Sequence, residues 1–116
     1  MVTKNEVEHF LSEFFVKYKV FGVLYRDRPK NAQTLLDLEM SPSDRSKVIE
    51  SIKIADYCEG PLDDRLYGIA SMWVFGKTYK SHELYIKISI GTMSNPVICI
   101  SFHIAEHSMT YPFKDK

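Results

Sequence analysis

HELYIKISIGTMSNPVICISFHIAEH, residues 82–107, reads as two strands joined by a short turn and followed by a polar exit. Neighbouring side chains on a strand point to opposite faces, so parity assigns each of them. In the first strand Leu84, Ile86, Ile88 and Ile90 share one face, and Tyr85, Lys87 and Ser89 share the other. In the second, Ile98, Ile100, Phe102 and, at the exit, Ile104 fall together, opposite Cys99, Ser101 and His103. If the apolar sets are buried against one core, the opposite face collects Tyr85, Lys87, Ser101 and His103. A slip of one residue would bury those polar groups, so the register is strongly specified. Fold and chemistry are both expected to follow from this one oily face backed by hydroxyl and titratable groups.

Working outward, Ile69 to Lys77 (IASMWVFGK) is predicted as a third strand. Trp73 and Phe75 lie on one face and Met72 and Val74 on the other, so both faces are covered, as in an interior strand. Gly76 marks a bulge or a close approach. Lys77 to Ser81 connects this strand to the next, and Gly91 to Pro96 turns between the last two. Nearer the N-terminus, Thr3 and Glu6 form a capping box. Val7, Phe10, Leu11, Phe14, Phe15 and Tyr18 then recur at helical spacing, which predicts a helix over about 4–18. Phe21 to Arg26 is a short strand rich in aromatic and β-branched residues, stopped by the segment DRPKN. Arg26, Arg28 and Lys30 make a small basic cluster there, either a solvated turn or a phosphate contact. Residues 31–38 suit a short helix, and Ser41-Pro42 with Asp44 opens another over about 42–53. Residues 54–68 lack a stable period and contain Gly60-Pro61, so a loop with a brief helical turn is expected there, with Asp63-Asp64 solvating it. The sum is a single α+β domain over residues 1–116. Its helices pack on one face of a small twisted, mainly antiparallel sheet, and the other face is open.

Composition narrows the function. At 45% hydrophobic and 13% aromatic, the chain is not a disordered one. It has no apolar run of the ~18 residues that a membrane helix needs. A charged N-terminal stretch without a signal-peptide core leads us to expect a cytoplasmic protein with no membrane partner. Cys58 and Cys99 are the only cysteines and form no disulfide framework or CxxC pair. The formal net charge is zero, so there is no overall basic footprint. From Tyr67 onward, however, five Lys and three His stand against three acidic residues.

Two constellations carry chemistry. His103-Ile-Ala-Glu106-His107 is an H-x-x-E-H pattern, which on a helix could hold zinc with a glutamate as base. Here it directly follows a strand, and Asp115 is the only downstream carboxylate able to serve as a third ligand. A small zinc hydrolase is therefore the third choice, and neither metal nor cofactor is expected. The second constellation is the polar sheet face: Tyr85, Lys87 and His103, with Glu106 and His107 nearby. Cleavage of RNA by its own 2′-hydroxyl needs a base, an acid for the 5′-oxygen and cations for the phosphate. Histidine suits either proton transfer, tyrosine donates a proton or stacks on a base, and lysine stabilises charge developing on phosphorus. Lys77, Lys80 and Ser101 are the expected RNA contacts. A solvated sheet face in a non-catalytic protein-interaction domain is the alternative.

The order of elements, with Leu84-Tyr-Ile-Lys-Ile88, Val97-Ile-Cys-Ile-Ser-Phe102 and Trp73 in the middle strand, resembles the MqsR family of toxins over about residues 4–103. That resemblance implies the fold of the RelE-like mRNA interferases. It also implies cleavage of mRNA, with or without the ribosome, and inhibition by a cognate antitoxin. Tyr85 matches the family's active-site tyrosine, and His103 stands where the family places a catalytic lysine. The chain departs from the pattern twice: Cys58 or Glu59 falls where an earlier catalytic lysine belongs, and Val74 replaces a glutamine.

Overall fold

Thr3 and Glu6 close the first helix as their spacing requires: the Thr3 hydroxyl accepts from the Glu6 amide at 3.2 Å, and the Glu6 carboxylate accepts from the Thr3 amide at 3.1 Å. The computed structural model describes residues 1–63 and 70–114, so Asp64, Ile69 and Asp115 lie outside the described residues. Helix α1 spans Lys4–Phe21 and ends at Gly22, whose φ of +79° glycine adopts without strain. The remaining elements are β1 (Val23–Tyr25), α2 (Pro29–Asp37), α3 (Pro42–Glu50), a 3₁₀ turn (Ile54–Asp56), β2 (Tyr57–Leu62), β3 (Met72–Tyr79), β4 (His82–Ser89) and β5 (Val97–Ile104). Among the described residues, five strands form one sheet in the order β1-β5-β4-β3-β2, parallel only between β1 and β5. This is the expected α+β architecture, with the helices packed against the sheet.

The core lies between α1 and that sheet. Val7, Phe10, Leu11 and Phe14 are buried against Trp73, Phe75, Leu84, Ile86 and Ile88. Phe10 stacks on Trp73 with ring centroids 4.7 Å apart. Lys17 ties the helix to the β4–β5 turn through the carbonyls of Ile90 and Thr92. Among the described residues, no helix is long and apolar enough to cross a membrane.

Four local expectations are corrected. Residues 57–62 form a strand rather than a loop. β2 is a sheet edge with two register shifts against β3, and an edge tolerates Pro61. A Cβ on Gly60 would lie 3.0 Å from the Met72 carbonyl oxygen, which accounts for glycine there. The link between β3 and β4 is shorter than residues 77–81: pairing continues to Tyr79↔His82, leaving a two-residue turn of Lys80 (φ +47°) and Ser81 (φ +69°). The helix predicted over 42–53 ends at Glu50, and the 3₁₀ turn follows.

The last correction falls in the central hairpin. Tyr85↔His103 and Lys87↔Ser101 pair as parity requires, but a bulge follows, and Ile88 pairs with Cys99. Parity flips there, so Cys99 and Val97 join the core, while Ile98 stands opposite Ser89. The bulge sits where β5 changes partner. Up to Cys99 its outer edge is paired with β1; beyond, it is met by α2. The buried Asn31 side chain donates to the Ile100 carbonyl (3.1 Å) and accepts from the Phe102 amide (2.9 Å). Thr34 accepts from the Ile104 amide at 3.2 Å. Two side chains on successive helical turns thus replace a neighbouring strand and satisfy the backbone edge.

Candidate functional site

The polar face of the hairpin is the floor of the site. Two cross-strand rows run over it, Val74–Lys87–Ser101 and Gly76–Tyr85–His103. Directly opposed side chains on one face meet, and the Tyr85 and His103 rings stack with centroids 5.1 Å apart and planes 13° from parallel. The Nδ1 of His103 lies 2.9 Å from the Ile104 carbonyl oxygen. A carbonyl only accepts, so Nδ1 carries the proton and Nε2 holds the lone pair of the neutral ring. Lys87 Nζ stands 5.9 Å from the centroid of the Tyr85 ring. Burial, reinforced by Glu59 and Cys58 and opposed by Arg28, raises the Tyr85 hydroxyl above its ordinary range, so it stays protonated at neutral pH.

Two walls rise from this floor, so the face is less open than the sequence suggested. Asn31 clamps the first turn of α2 against β5, and Arg28, at the N-cap, donates from Nη1 to the Ser101 hydroxyl at 3.1 Å. The opposite wall is the segment after β5. Glu83 holds it twice, accepting from the Met109 amide (3.2 Å) and from the Tyr111 hydroxyl (2.6 Å). The Tyr111 ring lies over Gly76, where a Cβ would come within 2.8 Å of its Cε1, so the close approach anticipated at this glycine is made by a side chain. Phe113 stacks on Tyr57 with centroids 5.4 Å apart. Between the walls, Lys30 and Glu106 form an ion pair at 2.9 and 3.0 Å. The open cavity between them has a volume of about 780 Å³, with Tyr85, Lys87, Ser101, His103 and His107 in its lining.

Thus Tyr85, Lys87, Ser101, His103, Glu106 and His107 come together in one cavity. Lys77 and Lys80 do not line it. Lys77 has the parity of the core residues Trp73 and Phe75, and it binds Asp56 (3.0 Å) and the Ser51 carbonyl (3.3 Å). Lys80 donates to the Leu38 carbonyl at 2.8 Å. Lys30 holds the Glu106 carboxyl below the usual carboxylate range through their hydrogen bond. Burial pushes both thiols, Cys58 and Cys99, up to about 12, so neither is a thiolate at neutral pH. His103 is in a strand and His107 beyond it, so the helical face that the H-x-x-E-H pattern needs is not formed. Among the described residues no group of three or more His, Cys, Asp and Glu is placed to hold a metal.

Sequence reasoning missed Met109 and the direct role of Arg28 in the lining, and it met Cys58, Glu59 and Val74 only as departures from the resembled family. The basic cluster at Arg26, Arg28 and Lys30 was the available signal for Arg28. Compared with protein-family models, with curated proteins and with solved structures, the chain matches none.

Proposed function

We propose that this protein is an endoribonuclease of the toxin type, cleaving mRNA in the cytoplasm and inhibited by a cognate antitoxin protein. One observation carries the proposal: Tyr85 and His103 are stacked beside Lys87 on the floor of a cavity that also holds His107. Nε2 of His103 takes the proton of an RNA 2′-hydroxyl as that oxygen attacks phosphorus. The P–O5′ bond breaks, and protonated His107 supplies the proton to the departing 5′-oxygen. The products are a 2′,3′-cyclic phosphate and a 5′-hydroxyl. Tyr85, held in its neutral form, donates a hydrogen bond to the phosphoryl group, and Lys87 offsets the charge growing on it. The two points where the chain departs from the resembled MqsR pattern, Cys58–Glu59 and Val74, line this same cavity.

Those departures favour one alternative. A thiol or a carboxylate stands where the family has a lysine, and a valine where it has a glutamine, which would suit a domain that keeps the fold and binds a partner without cleaving RNA. Expression separates the two. Induced alone in bacteria, the wild type is expected to arrest growth and deplete mRNA, and His103→Ala and Tyr85→Phe, both folded, are expected to relieve the arrest. Normal growth with abundant soluble wild type would favour the binding domain.

A further inference from the structure

The charged side chains around the cavity differ in what they already hold. Lys30 is paired with Glu106, and Lys77, outside the cavity, with Asp56. Arg28 reaches inward instead, and its only side-chain hydrogen bond among the described residues goes to the hydroxyl of Ser101, a neutral group that is 2% exposed. That contact joins positions 73 residues apart and uses one of the five guanidinium donors. Ser101 is also the register partner of Lys87. Two cationic side chains therefore flank one buried hydroxyl, on the floor that carries Tyr85 and His103. The charge of Arg28 is felt at the Tyr85 hydroxyl, which it draws down against the effect of burial. The acidic Glu59 enters the lining from β2, the edge of the sheet opposite β1.

We propose that Arg28, aimed by Ser101, is the phosphate-binding group of this cavity and takes the non-bridging oxygens of a nucleotide 3′-phosphate. The planar guanidinium matches two phosphate oxygens at once, as an ammonium does not. Ser101 is a positioning residue: it holds the fork over the floor but leaves its other edge to the ligand. The nucleotide nature of the ligand rests on the ribonuclease proposal; the anion site itself does not.

The test is a titration of the full chain with uridine 3′-monophosphate, followed by NMR or calorimetry. Arg28→Ala should weaken binding about 10- to 100-fold, the range for a lost hydrogen bond to a charged group. Arg28→Lys, which keeps the charge but not the fork, should fall between. Lys19→Ala, an exposed position at the far end of α1, should bind as wild type. Ser101→Ala should weaken binding, and the double variant should be no weaker than Arg28→Ala alone, because Ser101 acts only through the guanidinium. Thermal melts report folding, and should Arg28→Ala unfold, the comparison of Arg28→Lys with wild type decides. Wild type that fails to bind the probe at millimolar concentration, or Arg28 variants that bind it as tightly as wild type, would overturn the proposal. RNA cleavage assayed on the same proteins separates the two claims. Cleavage unchanged in Arg28→Ala removes Arg28 alone. Arg28-dependent binding without any cleavage removes the ribonuclease and keeps the anion site.

Discussion

Asn31 joins two halves of the site through one side chain. Its amide nitrogen donates to the Arg26 and Ile100 carbonyls at 3.2 and 3.1 Å, and its oxygen accepts from Phe102. Asn31→Ala leaves buried backbone groups of β5 without partners, at about 1–3 kcal/mol each. Asn31→Asp keeps the acceptor but turns a carboxylate oxygen toward two carbonyls, so it should destabilise at least as much. Urea denaturation measures both, and a midpoint unchanged in either would contradict the docking described. Composition alone gave Asn31 no role beyond opening a helix, because its partners lie 69 and 71 residues away. Tyr85, Lys87, Ser101 and His103 were legible for the opposite reason: strand parity is a local property, and the register that opposes them is enforced by burial of Leu84, Ile86 and Phe102. Parity could not reveal which ring nitrogen of His103 is engaged, since that depends on the turn of the chain at Ile104.

At the scale of elements, the segment after β5 is the part that sequence reasoning served least. It has no period, and its order comes from Glu83 and from the space above Gly76. Gly76→Ala would drive a Cβ into the Tyr111 ring, with Cζ only 2.9 Å away. The wall should shift while the sheet stays intact. We expect RNA cleavage to fall about 10-fold or more, the scale of loss when a reacting group moves by an ångström, and hydrogen exchange at residues 106–110 to rise. Tyr111→Phe removes the bond to Glu83 but not the ring, and should have the smaller effect on both. Unchanged exchange and activity in Gly76→Ala would contradict the anchoring role. β2 was hidden by Gly60-Pro61, a pair that ends interior strands but not a bulged edge. The bulge in β5 was hidden because an unbroken run of apolar residues, Val97 to Ile100, satisfies either parity. Helix α1 was legible from its capping box and apolar stripe, and it runs to Phe21 because Gly22 is the first residue shaped to stop it.

Over the whole molecule, the packing around the two thiols and Tyr18 contributes to how stability responds to alkaline pH. Burial pushes Cys58 and Cys99 from 9.0 up to about 12, and burial with the Glu50 hydrogen bond moves Tyr18 from 10.0 to about 12. With folded values above unfolded ones, the unfolded chain releases these protons first. Their contribution to stability is therefore complete below about pH 9 and is lost as pH rises toward 12. The urea midpoint should fall between pH 8 and pH 11; an equal or higher midpoint at pH 11 would contradict the burial of these groups.

The central claim is that the cavity floor cleaves RNA through its 2′-hydroxyl with His103 as base. The most direct measurement is analysis of the ends produced from a short RNA and from the same RNA with a 2′-deoxy nucleotide at the mapped cut. Wild type should leave a 2′,3′-cyclic phosphate and a 5′-hydroxyl, spare the deoxy linkage, and lose about 10²- to 10⁴-fold in rate in His103→Ala. Cutting of the deoxy linkage at the normal rate, 3′-hydroxyl and 5′-phosphate ends, or an unchanged rate in folded His103→Ala would contradict it.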